Sequence, residues 1–126
     1  MTADELLAEA RRGLDRVEPA EAAAAMSAGA VLVDIRSELQ RERDGVVPGS
    51  VFLARNVLEW RCDPSSHWRD ERVSDPSRQV IVMCDEGYQS SLAAANLGRL
   101  GLERATDLAG GFQAWRAAEL PVSRSD

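Results

Sequence analysis

The stretch from Val80 to Leu100, which reads VIVMCDEGYQSSLAAANLGRL, constrains the fold of this chain more than any other segment. It begins with a β-branched apolar run, which is typical of a strand buried on both faces of a sheet. A polar turn with one glycine follows, and then a small-residue helix for which Ser90 or Ser91 is the expected N-cap. The positions expected to form the buried stripe of this helix are Ala93, Leu97 and Leu100.

Cys84 stands at the C-terminal end of the predicted strand, directly before the turn. Its sulfur should therefore lie within reach of the first N–H groups of the helix, which have no partner inside the helix. Those N–H groups and the helix dipole stabilise an anionic sulfur. The sequence therefore predicts that Cys84 is a nucleophile.

Composition narrows the class of protein. The 126 residues are enough for one domain with a single core. The formal charge of −6 argues against nucleic acid or an anionic membrane surface as the main partner. All 15 basic residues are Arg, so Schiff-base chemistry, which requires a Lys amine, is excluded.

The N-terminus has no apolar signal core, and no apolar run approaches membrane-spanning length, so we expect a cytoplasmic protein without membrane contact. Cys62 is expected to be an ordinary thiol, because it is not in CxxC spacing with Cys84. Cys62 and His67 supply at most two metal ligands, so no metal site and no cofactor are expected.

Apolar periodicity predicts strands that alternate with helices. The expected strands cover residues 30–35, 50–53, 80–82 and 105–108. The expected helices cover residues 2–12, 19–29, 37–44, 90–100 and 112–120, with a helical turn at 56–61 and a polar segment of loop and short helix at 62–79. This order predicts an N-terminal helical extension, residues 1–13, and one α/β domain, residues 14–126, with a mainly parallel central sheet and helices on both faces.

Polar residues and glycines follow several of the predicted strands. The carboxyl ends of parallel strands meet at one edge of the sheet, and ligands bind beyond that edge. The residues that this rule brings to one rim are Asp34, Arg36, Arg55, Asn56, Cys84, Gly110 and Gly111. This rim is the predicted site.

Four segments carry a family resemblance: VLVDIR at 31–36, GVVPGSV at 45–51, VMCDEGYQSS at 82–91 and LAGGFQAWRAAELPV at 108–122. Together they resemble a single rhodanese (sulfurtransferase) domain, over roughly residues 15–123. The resemblance implies a rhodanese-like fold in which Cys84 is the catalytic residue and carries sulfur as a persulfide, cradled by backbone amides of the next loop. The substrate-binding loop residues that it implies are Asp85, Glu86, Gly87, Tyr88, Gln89 and Ser90.

The loop departs from the family in its charge. Active rhodaneses commonly carry Arg where this chain has Gln89, and often another where it has Asp85, and Glu86 adds a second carboxylate. The backbone cradle survives these changes because it does not depend on side chains. An acidic rim repels thiosulfate, a dianion, so we expect weak activity with thiosulfate.

Arg36 and Arg55 are further candidate substrate-binding residues, if their side chains turn toward Cys84. The alternative for Arg36 is a structural ion pair with Asp34, Glu38 or Glu42, and Arg55 has structural and functional interpretations of equal weight. The three tryptophans are expected to be packing residues.

The resemblance implies a sulfurtransferase that takes sulfane sulfur from a small donor or a persulfidated protein and passes it from Cys84 to a thiol or another nucleophilic acceptor. The alternative is a non-catalytic module that binds proteins or senses redox state, for example through a Cys62–Cys84 disulfide. Cysteine phosphatases share the strand–loop–helix arrangement, but they place an Arg where this chain has Ser90. Phosphate-ester hydrolysis is therefore not expected.

Overall fold

Four short apolar segments form the centre of the computed structural model, which describes residues 1–125. They are β1 (Val31–Asp34), β2 (Val51–Phe52), β3 (Val80–Met83) and β4 (Ala105–Asp107). The strands form one sheet in the spatial order β2-β1-β3-β4, and every pairing between them is parallel. The prediction of a mainly parallel sheet is confirmed.

The described chain contains six α-helices. They are α1 (Ala3–Arg11), α2 (Pro19–Ser27), α3 (Glu38–Asp44), α4 (Leu58–Cys62, after a 3-10 turn at Arg55–Val57), α5 (Gln89–Arg99) and α6 (Gly111–Ala117). Thr2 with Glu5 and Ser37 with Gln40 form capping boxes that satisfy free N–H groups at the starts of α1 and α3. Pro19 opens α2, where its missing N–H costs no hydrogen bond.

Alternate side chains of the central strands enter two separate cores. Val33 of β1 and Val82 of β3 pack on one face with residues of α4 and α5, such as Leu97. Leu32 of β1 and Ile81 of β3 pack on the other face with residues of α2 and α6. Because successive side chains of a strand point to opposite faces, an unbroken apolar strand requires cover on both sides. The predicted helices on both faces are confirmed.

The start of α5 differs from the prediction. Neither Ser90 nor Ser91 is the N-cap, because the helix begins at Gln89 after Tyr88, and Tyr88 makes no side-chain cap. Both serines lie buried in the first turn, and their hydroxyls donate to the carboxylate of Asp107 instead. The free N–H groups of the helix are therefore not satisfied by a serine hydroxyl.

The end of α5 also differs. Ala93 and Leu97 are fully buried as predicted, but Leu100 is 36% exposed and follows the helix as its C-cap. The chain reverses at Gly101, whose φ is +102°, and Leu102 takes the buried position instead.

The polar segment after α4 forms turns, and residues 63–79 contain no helix. The carboxylates of Asp63, Asp70 and Asp75 each accept a hydrogen bond from the N–H group two residues further along. Such local bonds satisfy the backbone without a helix and favour turns. The short helix expected here is therefore absent.

The three tryptophans have different environments. Trp115 on α6 is buried, and its indole N–H donates to the carbonyl of Pro121 at 2.9 Å. Trp60 and Trp68 are 57% and 70% exposed, so the expectation that they are packing residues is wrong. The period of a five-residue helix and a polar loop carries too little information to assign their faces.

The N-terminal helix α1 packs against α5. The boundary between residues 13 and 14 stays a prediction, since the packing alone does not define a domain limit. None of the helices described for residues 1–125 has the length and apolar character needed to cross a membrane.

Substitution of two glycines by alanine tests the backbone conformation at Gly111 and at Gly98. Gly111 has φ of +62°, and a Cβ there would lie 2.5 Å from the carbonyl oxygen of Cys84, so we expect Gly111→Ala to lower the free energy of unfolding by about 2 kcal/mol or more. Gly98 in α5 has no heavy atom within 4 Å of the position that a Cβ would take, so Gly98→Ala should raise it by about 0.5–1 kcal/mol. Denaturant unfolding of both variants measures these changes, and a stable Gly111→Ala protein would contradict the geometry.

Candidate active site

Cys84 lies directly after β3, where the chain leaves the sheet and enters the turn before α5. Cys84 is buried, with 8% of its surface exposed. The sulfur Sγ accepts hydrogen bonds from the N–H groups of Gly87 at 3.2 Å and of Ser90 at 3.3 Å. The predicted position of Cys84 at the start of a helix is confirmed, and backbone donors do converge on its sulfur.

Further N–H groups of the same loop are free. Within residues 1–125, the backbone N–H groups of Asp85, Glu86, Tyr88 and Gln89 have no hydrogen-bond acceptor in the protein. A loop in which two N–H groups already bind the sulfur and four more are unpaired has the donor set of an anion site. The loop can therefore stabilise negative charge on Sγ or on an atom attached to it.

A cavity of about 360 Å³ opens over the sulfur. The residues that line it are Ile35, Arg36, Gln40, Cys84, Asp85, Glu86, Tyr88 and Gln89. Six of the nine predicted site residues thus meet at one cavity. Gly87 and Ser90, although outside its lining, contribute the two N–H groups that bind the sulfur.

The start of α6 supports the loop from below. The N–H of Phe112 donates to the carbonyl of Cys84 at 2.9 Å, and the N–H of Gln113 donates to the carbonyl of Asp85 at 3.1 Å. Gly111 permits this approach because it has no side chain in the narrow space. The predicted rim glycine Gly111 is therefore a support of the loop rather than part of the cavity wall.

A buried carboxylate holds the loop from behind. Asp107, at the end of β4, is fully buried and accepts hydrogen bonds from the hydroxyls of Ser90 and Ser91, each at 2.8 Å. Arg16 completes the set through two hydrogen bonds of 2.9 and 3.2 Å. Asp107 thereby fixes the first turn of α5, whose N–H groups face the sulfur.

Two arginines that the sequence analysis did not assign to the site contact the Cys84 loop. Arg11 of α1 donates to the carbonyl of Gly87 at 2.8 Å, and Arg16 donates to the same oxygen at 3.0 Å. They are 76 and 71 residues away from Gly87 in the chain. No local motif marks such a pair, because the acceptor is a backbone oxygen far along the chain.

Arg36 lines the cavity but is not a free cation. Its side chain is fully buried, makes two hydrogen bonds to Asp34 at 3.1 and 2.9 Å, and lies 3.8 Å from the ring centroid of Phe112. The structural ion pair with Asp34, one of the alternatives from the sequence, is therefore present. Its Nη1 is the one buried side-chain nitrogen or oxygen of residues 1–125 without a hydrogen-bond partner.

Arg55 does not line this cavity. Its guanidinium donates to Glu59 at 2.8 Å and to the side-chain amide of Gln89 at 3.2 Å. Gln89 belongs to the cavity, so Arg55 contacts the site only through it. Asn56 and His67, which are both exposed, are also absent from the lining.

Carboxylates occupy the outer edge of the cavity. Glu86 is exposed, while Asp85 accepts a hydrogen bond from Gln113 at 2.9 Å. The same amide of Gln113 also donates to Asp44. The pKa of Asp44 is lowered to about 2, mainly by a side-chain hydrogen bond from Arg43. The edge therefore keeps the acidic character that the sequence predicted.

Comparisons with known proteins bear on the identity of this site. The family model for the Rhodanese-like domain matches residues 18–118. Thiosulfate sulfurtransferase GlpE of Haemophilus influenzae (strain PittEE) is 31% identical over 106 residues, which cover 84% of this chain and 91% of that protein. The protein of the same name from Ectopseudomonas mendocina (strain ymp) is 36% identical over 102 residues, covering 81% and 84%.

Solved structures show the same fold. A protein of unknown function from Rhodopseudomonas palustris, described as a possible tyrosine phosphatase, superposes with a TM-score of 0.89 at 32% identity, covering 98% of this chain and 95% of that one. A rhodanese-related protein from Thermoplasma volcanium superposes with a TM-score of 0.70 at 21% identity, covering 87% and 98%. With a family match across most of its length and curated relatives above 30% identity, the chain belongs to the rhodanese-like domain family, whose curated relatives named above are sulfurtransferases.

Proposed function

We propose that this protein is a sulfurtransferase in which Cys84 carries sulfane sulfur as a persulfide. The observation that carries the proposal is the convergence of two backbone N–H groups on Sγ, with four unpaired N–H groups in the same loop. A persulfide adds one sulfur atom and keeps the negative charge at the end of the group. Free N–H groups around the cysteine are the donors that such a terminal atom needs.

The reaction takes two displacement steps. In the first, the Cys84 thiolate attacks the sulfane sulfur of the donor, a new S–S bond forms, and the donor's own bond to that sulfur breaks. The bonding electrons leave with the donor residue, as sulfite from thiosulfate or as a thiolate from a persulfide. In the second, a thiolate acceptor attacks the outer sulfur, and Cys84 leaves as the thiolate with which it began.

Charge at the cavity bears on the choice of donor. Arg36 brings one positive charge to the lining, and Asp34, which also pairs with Arg41 at 3.2 Å, offsets only part of it. Asp85 and Glu86 lie on the same lining without a cationic partner among the lining residues. A dianionic donor therefore meets repulsion, and a donor of lower charge, such as a persulfide, meets less of it. Arg55 as a direct substrate-binding residue stays a prediction.

The central test is transfer to cyanide. Purified protein incubated with a persulfide donor should gain the mass of one sulfur atom and release thiocyanate when cyanide is added. Cys84→Ser should abolish both signals because it removes the attacking sulfur, while Cys62→Ala should keep them. Release of thiocyanate at the same rate by Cys84→Ser would refute the proposal.

Phosphatase activity is the control reaction. The Rhodopseudomonas palustris neighbour is described as a possible tyrosine phosphatase. Here Ser90 stands where cysteine phosphatases place an Arg, and its hydroxyl is bound to Asp107. We expect no hydrolysis of p-nitrophenyl phosphate above the rate of the Cys84→Ser variant.

Donor preference provides a separate test. We expect a higher kcat/KM with a persulfide donor, which carries less charge, than with thiosulfate. Glu86→Gln should raise kcat/KM for thiosulfate about twofold to fivefold by removing an exposed negative charge at the cavity. Glu71→Gln is the matched control, because Glu71 is exposed and lies outside the lining. A faster reaction with thiosulfate than with the persulfide would contradict the expected preference.

The alternative function is a non-catalytic module that senses redox state, and it requires Cys62 to form a disulfide with Cys84. Both cysteines are free in the structure. Burial, with the carboxylates of Asp70 and Glu59 adding to it, raises the pKa of Cys62 to about 12. A thiol that stays protonated is a poor partner for thiol–disulfide exchange.

Selective alkylation distinguishes the two cysteines. At about pH 8, iodoacetamide should label Cys84 in the native protein and Cys62 at least about a hundredfold more slowly, until denaturant exposes it. Peptide mapping by mass spectrometry measures both rates. Rapid native labelling of Cys62, or a Cys62–Cys84 disulfide under mild oxidation, would favour the redox-sensing alternative.

A further inference from the structure

We propose that Arg11 and Arg16 are positioning residues that supply, through the carbonyl of Gly87, the positive charge that the side chains of the Cys84 loop lack. This inference rests on the proposed function, since it concerns how the loop stabilises the anionic sulfur that sulfur transfer requires. Neither arginine lines the cavity, and neither contacts Sγ. Their action on the sulfur is therefore electrostatic and passes through the backbone.

The contact is unusually rich in donors for one backbone oxygen. The Gly87 carbonyl accepts from Arg11 at 2.8 Å and from Arg16 at 3.0 Å. Arg11 also donates to Ser91 at 3.0 Å, and its guanidinium lies 5.8 Å from the ring centroid of Tyr88. Two guanidiniums on one carbonyl strongly polarise its peptide group.

The direction of that peptide group links the arginines to the sulfur. The peptide between Gly87 and Tyr88 is trans, so its N–H points away from its carbonyl. The carbonyl faces the arginines, and the N–H of Tyr88 is directed to the opposite side, where it has no acceptor within residues 1–125. Polarisation from behind makes this free N–H a stronger donor to an anion in the loop.

The charges behind the loop do not cancel. Arg11 and Arg16 bring two positive charges, and Asp107 brings one negative charge that is bound to Arg16. One positive charge therefore remains uncompensated beside the Gly87 carbonyl. Both arginine side chains are partly buried, so solvent screens this charge less than it screens an exposed one.

Gly87 is the residue that makes the arrangement possible. Its φ is +89°, and a Cβ there would lie 2.8 Å from the N atom of Gly110 and 3.2 Å from Nη2 of Arg16. A side chain would thus clash with the backbone of Gly110 and press on the guanidinium of Arg16. The positive φ and this close approach both favour glycine at this position.

The experiment compares alkylation of Cys84 by iodoacetate, which is anionic, and by iodoacetamide, which is neutral. Loss of the Arg11 charge should lower the ratio of the iodoacetate rate to the iodoacetamide rate about threefold to tenfold in Arg11→Gln. Arg11→Lys keeps the charge and should keep the ratio within about twofold. Arg12→Gln is the matched control, since Arg12 is the exposed neighbour at the end of the same helix.

A purely structural role for Arg11 would change both alkylation rates in the same proportion and leave their ratio as in the original protein. That result in a folded Arg11→Gln protein would overturn the proposal. Arg11→Met, which keeps the aliphatic packing, is the second neutral variant if Arg11→Gln unfolds, with thermal melts as the check. Arg16 is not the primary variant, because its removal strips a buried Asp107 of its ion pair.

The two readouts separate this proposal from the proposed function. Alkylation of Cys84 needs no sulfur donor, so the ratio reports the charge at the loop alone. Thiocyanate release reports sulfur transfer. A normal ratio beside active transfer refutes only the positioning role, and a lowered ratio supports it irrespective of transfer.

Discussion

The buried carboxylate of Asp107 is the interaction on which the rest of the site depends. A fully buried anion requires several donors, because an unpaired charge away from water is costly. Ser90 and Ser91 provide two of them, and Arg16 provides the rest. Since the serine hydroxyls are committed to Asp107, they do not cap α5, and the N–H groups of its first turn stay available to Cys84. One carboxylate thus joins β4 to α5 and leaves open the end of the helix that attracts anions.

The chemistry of this site is built on the main chain. Backbone N–H groups contact the sulfur, backbone carbonyls of Cys84 and Asp85 are held by α6, and the Gly87 carbonyl receives the arginines. Side chains at the cavity edge can therefore carry negative charge without dismantling the cradle. In physical terms, stabilisation of an anionic sulfur at Cys84 and the charge presented to an incoming molecule are separate properties. The first belongs to the backbone, and the second belongs to the rim.

Much of the fold followed from local patterns, while part of the site did not. The β-branched run before Cys84 and the alternating elements were sufficient to predict a parallel sheet with two covered faces, because both are properties of neighbouring residues. The contacts of Arg11 and Arg16 with the loop were not predicted, because their acceptor lies more than 70 residues away. That acceptor is a backbone oxygen, which every residue type has. The exposure of Trp60 and Trp68 was not predicted either. A short helix and a turn-rich loop have no periodic pattern that shows which side chains face the core.

The long span of the contacts behind the loop has a consequence for how the site comes into being. Arg16 and Asp107 are 91 residues apart, and β4, which carries Asp107, is the last strand along the chain. Contacts of such separation form only after the loop-closure entropy of the intervening chain has been overcome. Without Asp107 of β4 in place, the first turn of α5 lacks the carboxylate that holds Ser90 and Ser91. The anion-binding loop is therefore complete only when segments from both ends of the chain are in place, so its geometry depends on the whole fold and not on the strand–loop–helix segment alone.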